Sequence, residues 1–295
     1  MRSISLPNGM EISVNNSTEA KILYYEIFTT GTYAKHGIKV SPGDCVFDVG
    51  ANIGMFSMCI ASQFPDLTLY AFEPIPELFS ILQSNAKKHL ERARSYKLLK
   101  TGLSDSFKKA EFQFSSKMSI AAGMYSADVD GNVSQKAGLN PWLRAIIADG
   151  EKTGIIPAKT SRLLQNLLLK RTTRLATAIG LAIPFTLFLI VLKASFKKVE
   201  CELQPVSNII KNENISRIDL MKIDVEGAEF DVLQGIADGD WPKIRQFVIE
   251  VHDIDNRVKA MTEFLQSRNY TVVVDQEDWE LHKLMNIYTM YAHRP

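Results

Sequence analysis

Cysteine is scarce in this chain of 295 residues. The three that occur, Cys45, Cys59 and Cys201, form no CxxC pair and have no histidine beside them at metal-ligand spacing. That argues against a disulfide scaffold, a zinc ribbon or a dithiol redox centre. Net charge is lacking too: 34 Lys and Arg against 33 Asp and Glu leave no global field to draw the chain to nucleic acid or anionic lipid. The N-terminus, MRSISLPNGMEISV, carries one arginine and no apolar core segment, so it does not read as a secretory signal. Reduced packing cysteines in a cytoplasmic protein are the expectation. Long apolar runs are absent with one exception, residues 175–193.

What is present is an alternation of short apolar strands and amphipathic helices. DCVFDVG (44–50) is a β-rich run ending in glycine, and NIGMFSMCIASQF (52–64) continues as a helix. LTLYAFEP (67–74) is a second strand closed by Pro74. PELFSILQSNAKKHL (76–90) is a helix with Leu78, Ile81 and Leu82 on one face, and SYKLLKTGLSD (95–105) is a third strand and a turn. RIDLMKIDVEG (217–227), RQFVIEVHD (245–253), YTVVVDQ (270–276) and NIYTMYAHR (286–294) supply four more strands, with helices over 229–236 and 256–269. No helix-length segment separates the last two strands, so they are expected to be antiparallel neighbours. Seven strands in this order predict an α/β fold with a doubly wound, mostly parallel sheet and an antiparallel C-terminal edge.

Four regions follow. Residues 1–40 form an N-terminal module, with a strand and an Asn8-Gly9 turn in LPNGMEISV and a helix in EAKILYYEIF. The sheet halves are 41–122 and 201–295. Between them, 123–200 reads as a helical insertion, with helical patterns over about 141–173 and the apolar run after them. AEFQFSS (110–116) alternates like an edge strand or a hairpin, and VECELQPVSNIIKNENI like a strand and a short helix.

The chemistry concentrates at strand ends. In VFDVGANIG (46–54) a strand closes on an acidic residue, a glycine permits a tight turn, and a helix begins at once, offering free N–H groups. A dinucleotide fingerprint would place a second glycine where Asn52 stands, so the spacing disfavours a pyrophosphate and an NAD-dependent oxidoreductase, and suits a smaller nucleoside ligand. Glu73, at the end of the following strand, can accept hydrogen bonds from both hydroxyls of an adenosine ribose; an ordinary charged turn residue is the plainer reading. Taken together, the two motifs favour an S-adenosylmethionine site.

VFDVGANIGMFS, YAFEP and IDLMKIDVEGAEFDVLQGI together resemble the FkbM family of S-adenosylmethionine-dependent methyltransferases. The resemblance covers about 40–125 and 200–295, and is nearest to the O-methyltransferase domains associated with polyketide and nonribosomal peptide synthases. It implies a class I methyltransferase (Rossmann-like) fold, with Asp48, Gly50, Ala51, Asn52 and Gly54 around the methionyl and ribose parts of S-adenosyl-L-methionine. Glu73 would hold the ribose hydroxyls, and Ser104 and Asp105 would border the adenine, although a turn or N-cap role suits Asp105 equally.

KIDVEGAE sits at a strand end beside the first one, where open α/β sheets place their ligands. Lys222 and Asp224 share one face of the strand, and Glu226 follows in the turn. This group could orient the methionine moiety, position a hydroxyl or bind a divalent cation; a salt-bridged strand end is the structural alternative, and no metal is assigned. Glu229 reads as a capping or solvated residue. Methyl transfer is an in-line displacement that needs alignment and a proton acceptor. His252, in EVHD, is the histidine best placed to accept that proton, or else a hydrogen-bonded structural residue; His36, His89, His282 and His293 are expected to lie off the crevice.

From Ala176 to Leu192 no residue is charged, and a helix of that length would measure about 26 Å, just short of a ~30 Å hydrocarbon core. Strands before and after the run must share one sheet, which excludes a simple crossing, and Pro184 interrupts its middle. A lid over a lipophilic substrate, a membrane-surface helix and a partner interface all remain open. The expected function is O-methylation of a small lipophilic or carrier-tethered metabolite. Methylation of a lipid or glycan hydroxyl at a membrane surface, and a non-catalytic binding module, are the alternatives.

Overall fold

The chain opens on a hairpin, β1 (Arg2–Ser5) against β2 (Glu11–Val14), whose turn rests on Gly9 at φ +86° and on Asn8, which accepts the N–H of Met10. Asn16 then caps α1 (Ser17–Tyr24), accepting from Thr18 N at 2.9 Å. The helix ends in a π-helical turn, Tyr25–Thr29. The computed structural model describes residues 2–116, 118–123, 139–169 and 195–294.

The strands read from alternation form one sheet: β3 (Cys45–Val49), β4 (Thr68–Phe72), β5 (Ser95–Leu99), β10 (Leu220–Ile223), β11 (Gln246–His252), β12 (Thr271–Asp275) and β13 (Ile287–His293). Their order is β12-β13-β11-β10-β3-β4-β5. Strands β5, β4, β3, β10 and β11 pair in parallel, and β13 is antiparallel to both β11 and β12. The antiparallel strand therefore stands one place in from the edge, with β12 outside it. A short connection folds β13 straight back from β12 and inserts it beside β11.

Alternation within each strand feeds two cores. Val46, Leu69, Leu220 and Val248 pack on one face with residues of α2 (Met55–Gln63) and α3 (Pro76–His89). Phe47, Met221, Ile223, Phe247 and Ile249 pack on the other with Ile209, Val232, Leu233, Met261 and Leu265. Those come from helices over 206–212, 229–234 and 257–266.

A second sheet was not legible as such. The two-residue β6 (Gly102–Leu103) pairs in parallel with β9 (Lys197–Gln204), which is antiparallel to β7 (Lys108–Ser115), itself a hairpin with β8 (Met118–Gly123). AEFQFSS is thus a hairpin arm, and lies inside this sheet rather than at its edge. Two helices, Leu139–Lys152 and Ala158–Leu169, follow it. The apolar run 175–193 lies outside the described residues. Strands on either side of it pair with each other in both sheets, and among the described residues no helix is long and apolar enough to cross a membrane.

Candidate active site

The carboxyl ends of β3, β4, β10 and β11 surround a cavity of about 420 Å³, within the range that ligand pockets occupy. After β3 the chain turns at Gly50, whose N–H and that of Ala51 both donate to Phe72 O, at 3.1 and 2.9 Å. Gly50 has φ +78°, and a Cβ there would sit 1.8 Å from the carbonyl oxygen of Asp224. Glycine is required because a neighbouring backbone fills the space. Gly54 is a different case: its missing Cβ faces Leu82, so it serves helix packing and does not line the cavity.

Asn52 and Glu73 meet at the cavity wall. Glu73 is buried, and its carboxylate accepts from Asn52 N at 2.9 Å and Ile75 N at 2.8 Å. Two of its roughly four lone-pair positions are used, which leaves acceptors toward the cavity. Burial pushes its pKa up to about 8, against these two bonds. Ser104 lines the same wall and donates to Asp105 at 3.0 Å. Asp105 is exposed outside the cavity, where the Lys108 ammonium holds its carboxyl down at about 2.

Asp48 lies beneath the wall, fully buried. It accepts from Ser57 Oγ at 2.7 Å and sits 3.3 Å from Lys222 Nζ. That ammonium also donates to Gly50 O at 2.9 Å and lies 3.3 Å from Asp224. Lys222 therefore stitches the ends of β3 and β10 to the Gly50 turn. Burial works against its charge, but Asp224 and Asp48 prevail and hold its pKa above the ordinary lysine value.

Asp224, Glu226 and Glu250 place carboxylate oxygens within 4.8 Å of one another, and in a second set Glu26 and Glu250 oxygens and a His282 ring nitrogen lie equally close. Both sets have the donor types and spacing to hold a cation. Glu26 comes from the π-helical turn after α1 and His282 from the short helix Glu280–Met285. His282 was expected off the crevice; its helix folds over the sheet end and brings it to the cavity wall. Burial, with the charge of Asp224, pushes Glu26 up to about 8, and raises Glu250 well above the carboxylate range. Burial and the neighbouring His252 push His282 down to about 4.

His252 is buried between two carboxylates, with Nε2 3.5 Å from Glu226 and Nδ1 3.5 Å from Glu229. Glu229 is not solvated: it is fully buried, accepts from Gly227 N at 2.6 Å and lies 3.3 Å from Arg257. Burial opposes the charge on His252, but Glu229 and Glu226 outweigh it and raise the pKa to about 9. A raised histidine pKa stabilises the fold fully below the unfolded value of about 6.5 and less as pH climbs through 9. Wild-type denaturation midpoints are therefore expected to fall across that window, and those of His252→Gln to fall less. Parallel slopes would remove His252 as the source.

Much of the rest of the cavity wall is apolar, with Ile22, Leu23, Ile27, Ile146, Ile156, Trp279, Leu281 and Met285 among its residues. Asp149 ties the helix Leu139–Lys152 to this wall by accepting from Glu280 N at 3.0 Å and Leu281 N at 2.8 Å. Sequence reading missed Glu26, Tyr33, Asp149, Trp279 and His282 as wall residues. Glu250 stood in the quoted EVHD without a role. The unusual turn that aims Glu26 inward has no signature in EAKILYYEIF.

Residues 48–272 match the family described as the methyltransferase FkbM domain. The 31-O-demethyl-FK506 methyltransferase FkbM of Streptomyces tacrolimicus is 32% identical over 278 residues, covering 94% of this chain and 92% of that protein. The AMB antimetabolite synthetase AmbE of Pseudomonas aeruginosa is 30% identical over 298 residues, 99% of this chain but 12% of the synthetase. Among solved structures, a methyltransferase FkbM from Methylobacillus flagellatus is similar at 12% identity and a TM-score of 0.48, covering 92% of this chain and 49% of that one.

Proposed function

This chain belongs to the FkbM methyltransferase family and is an S-adenosylmethionine-dependent enzyme, and from that premise we propose that it methylates a hydroxyl of a small, lipophilic biosynthetic intermediate. One observation carries the proposal: a single cavity is lined by Glu73 and Asn52, by the carboxylates of Glu26, Asp224, Glu226 and Glu250, and by many apolar side chains, isoleucine, leucine and tryptophan among them. Glu73 and Asn52 suit a nucleoside, and the apolar part of the lining suits a greasy acceptor. Glu26, Tyr33, Trp279 and His282 line the cavity from outside the matched span 48–272.

The cavity fits the cofactor on its donor chemistry: a buried carboxylate with spare acceptors, a tight turn crossed by a second backbone, and polar Asn52 and Ser104 beside them. When bound, the cofactor supplies an electrophilic methyl group on a sulfonium. Glu73 would hold the ribose hydroxyls, Ser104 would border the base, and Gly50, Ala51, Asn52 and Asp224 would enclose the methionyl part. Asp48 and Gly54 would support this wall from behind, Lys222 would order it from within the lining, and Asp105 lies away from it. His252, protonated at neutral pH, would steady Glu226 rather than accept a proton.

Glu73→Gln keeps the shape of the residue but takes away the carboxylate that donating ribose hydroxyls would hold ionised against its burial, and turns one acceptor into a donor. A charge-assisted hydrogen bond is worth about 1.5–3 kcal/mol, so calorimetry should show S-adenosylmethionine affinity reduced roughly 10- to 100-fold. Unchanged affinity would take Glu73 out of the cofactor site.

The function is tested by incubating the enzyme and methyl-labelled S-adenosylmethionine with a panel of lipophilic alcohols, including 31-O-demethyl-FK506, beside matched amines, thiols and carboxylic acids. Label is expected on the alcohols. Label on amines, thiols or acids alone would overturn the hydroxyl reading. A carrier-tethered acceptor is the second reading, favoured by the likeness to a segment of a synthetase; labelling of carrier-bound alcohols but not free ones would select it.

A further inference from the structure

The geometry points to Glu26 and Glu250 as a carboxyl pair that shares one proton and receives the proton given up by the acceptor hydroxyl. The inference rests on the hydroxyl reading above. Both side chains line the cavity, and their oxygens lie within 4.8 Å of each other and of a His282 nitrogen. Two carboxylates this close do not both ionise readily, so at least one proton is held between them, and a sulfonium bound beside them favours the ionised form and opens one carboxylate. Neither forms an ion pair with a described residue. The nearest buried ammonium, Lys222, is engaged with Asp48, Asp224 and Gly50 O.

The other groups facing the pair are mostly acidic or neutral. Asp224 and Glu277 raise Glu26, Asp224 and Glu226 raise Glu250, and Lys222 lowers both without overcoming burial. Tyr33 stands beside both, and burial with these same carboxylates holds its hydroxyl protonated. His282, pushed down to about 4, brings no charge at neutral pH. Among the ionisable wall residues, His252 is already protonated there, and Glu73 is not among the groups that shift the pair. A pair raised by burial and its acidic neighbours is a stronger base than an ordinary carboxylate, which suits the demand of an alcohol.

The step balances without another reagent. The O–CH3 bond forms as the S–CH3 bond breaks, the breaking pair stays on sulfur, and the hydroxyl proton passes to the pair's free carboxylate oxygen. Solvent takes it once the product leaves. Because the carboxylate must be open, activity should fall on the acid side of the pair's titration.

The test uses the full chain with two readouts. Calorimetry in two buffers of different ionisation enthalpy counts protons released at neutral pH on binding S-adenosylmethionine, and again on binding its demethylated product. The product carries the same ribose but no sulfonium, so the difference isolates the response to the cation from that of Glu73. Wild type should release more protons with the sulfonium, and Glu26→Gln and Glu250→Gln should lose that excess while still binding both ligands, which shows them folded. No excess in wild type, or the same excess in both variants, would overturn the pair.

On a methylated alcohol from the panel, each Gln variant should lose about 10²- to 10⁴-fold in kcat and the acid limb of its pH profile, with Glu250→Asp partly restored. Unchanged kcat and profile, or activity abolished by a chelator and restored by Mg²⁺, would overturn the proposal. If both ligands bind but no alcohol is labelled, the hydroxyl reading fails and the proton count alone decides the pair.

Discussion

A Gly50→Ala variant is expected to lose measurable S-adenosylmethionine binding and about 4 kcal/mol or more of stability, an effect at the top of the range for single substitutions. Two costs combine at this position. The backbone has φ +78°, where an L side chain is strained, and the new Cβ would lie 1.8 Å from Asp224 O and 3.3 Å from Val225 Cγ1. The obstacle is backbone at the end of β10, which moves only if the central strand pairing moves with it. Gly9→Ala separates the costs: φ is +86° but nothing stands within 4 Å of the new Cβ, so strain alone, about 1–2 kcal/mol, should appear. Denaturant unfolding and calorimetric titration would measure both variants. A Gly50→Ala protein no worse than Gly9→Ala, with cofactor affinity intact, would show that the turn yields without consequence.

Lys222→Met should be comparably severe. The substitution keeps most of the length of the side chain but removes a buried cation that serves Asp48, Asp224 and the Gly50 carbonyl together. Breaking a buried ion pair from one side costs about 3–5 kcal/mol, because the remaining carboxylates stay buried without their partner. The raised lysine pKa adds stability that is fully present below the unfolded value of about 10.4 and is lost only as pH rises beyond it, so neutral measurements see the whole effect. Lys222→Met combined with Asp48→Asn should be less destabilised than Lys222→Met alone, since one orphaned charge is neutralised. If the double variant lost the sum of the two single effects, the coupling would be absent and Lys222 would act by packing only.

The sheet was legible because each of its core strands is a short apolar run closed by a glycine, proline or acidic turn, and because DVG, FEP and DVEG fall at successive strand ends. Those motifs put Gly50, Asn52, Glu73, Ser104 and Asp224 at neighbouring strand ends, and all five line one cavity. Asp48, Gly54 and Asp105 sit in the same motifs but point elsewhere, since residue order along a turn does not tell which side chain faces a cavity. The second sheet escaped because β6 has only two residues, too few for a period. His282 escaped for a similar reason: its helix has six residues, and its position depends on β13 folding back beside β11. Glu26 depends on a local widening of a helix, a property of packing rather than of composition.

The pairing of Val46 with Leu220 at the centre of the sheet sets the order in which the molecule can assemble. On the ribosome, β3, β4 and β5 emerge long before the strand that must lie beside them, and they wait with one edge open until residue 223 has been made. Contacts of such long sequence separation are slow to close and leave an unpaired edge open to aggregation in the meantime. Gly50, Lys222 and Asp224 come together only at that closing event. A ligand held by their wall recognises the finished chain alone, so S-adenosylmethionine should shift the folding equilibrium of the newly made protein as well as supply its methyl group.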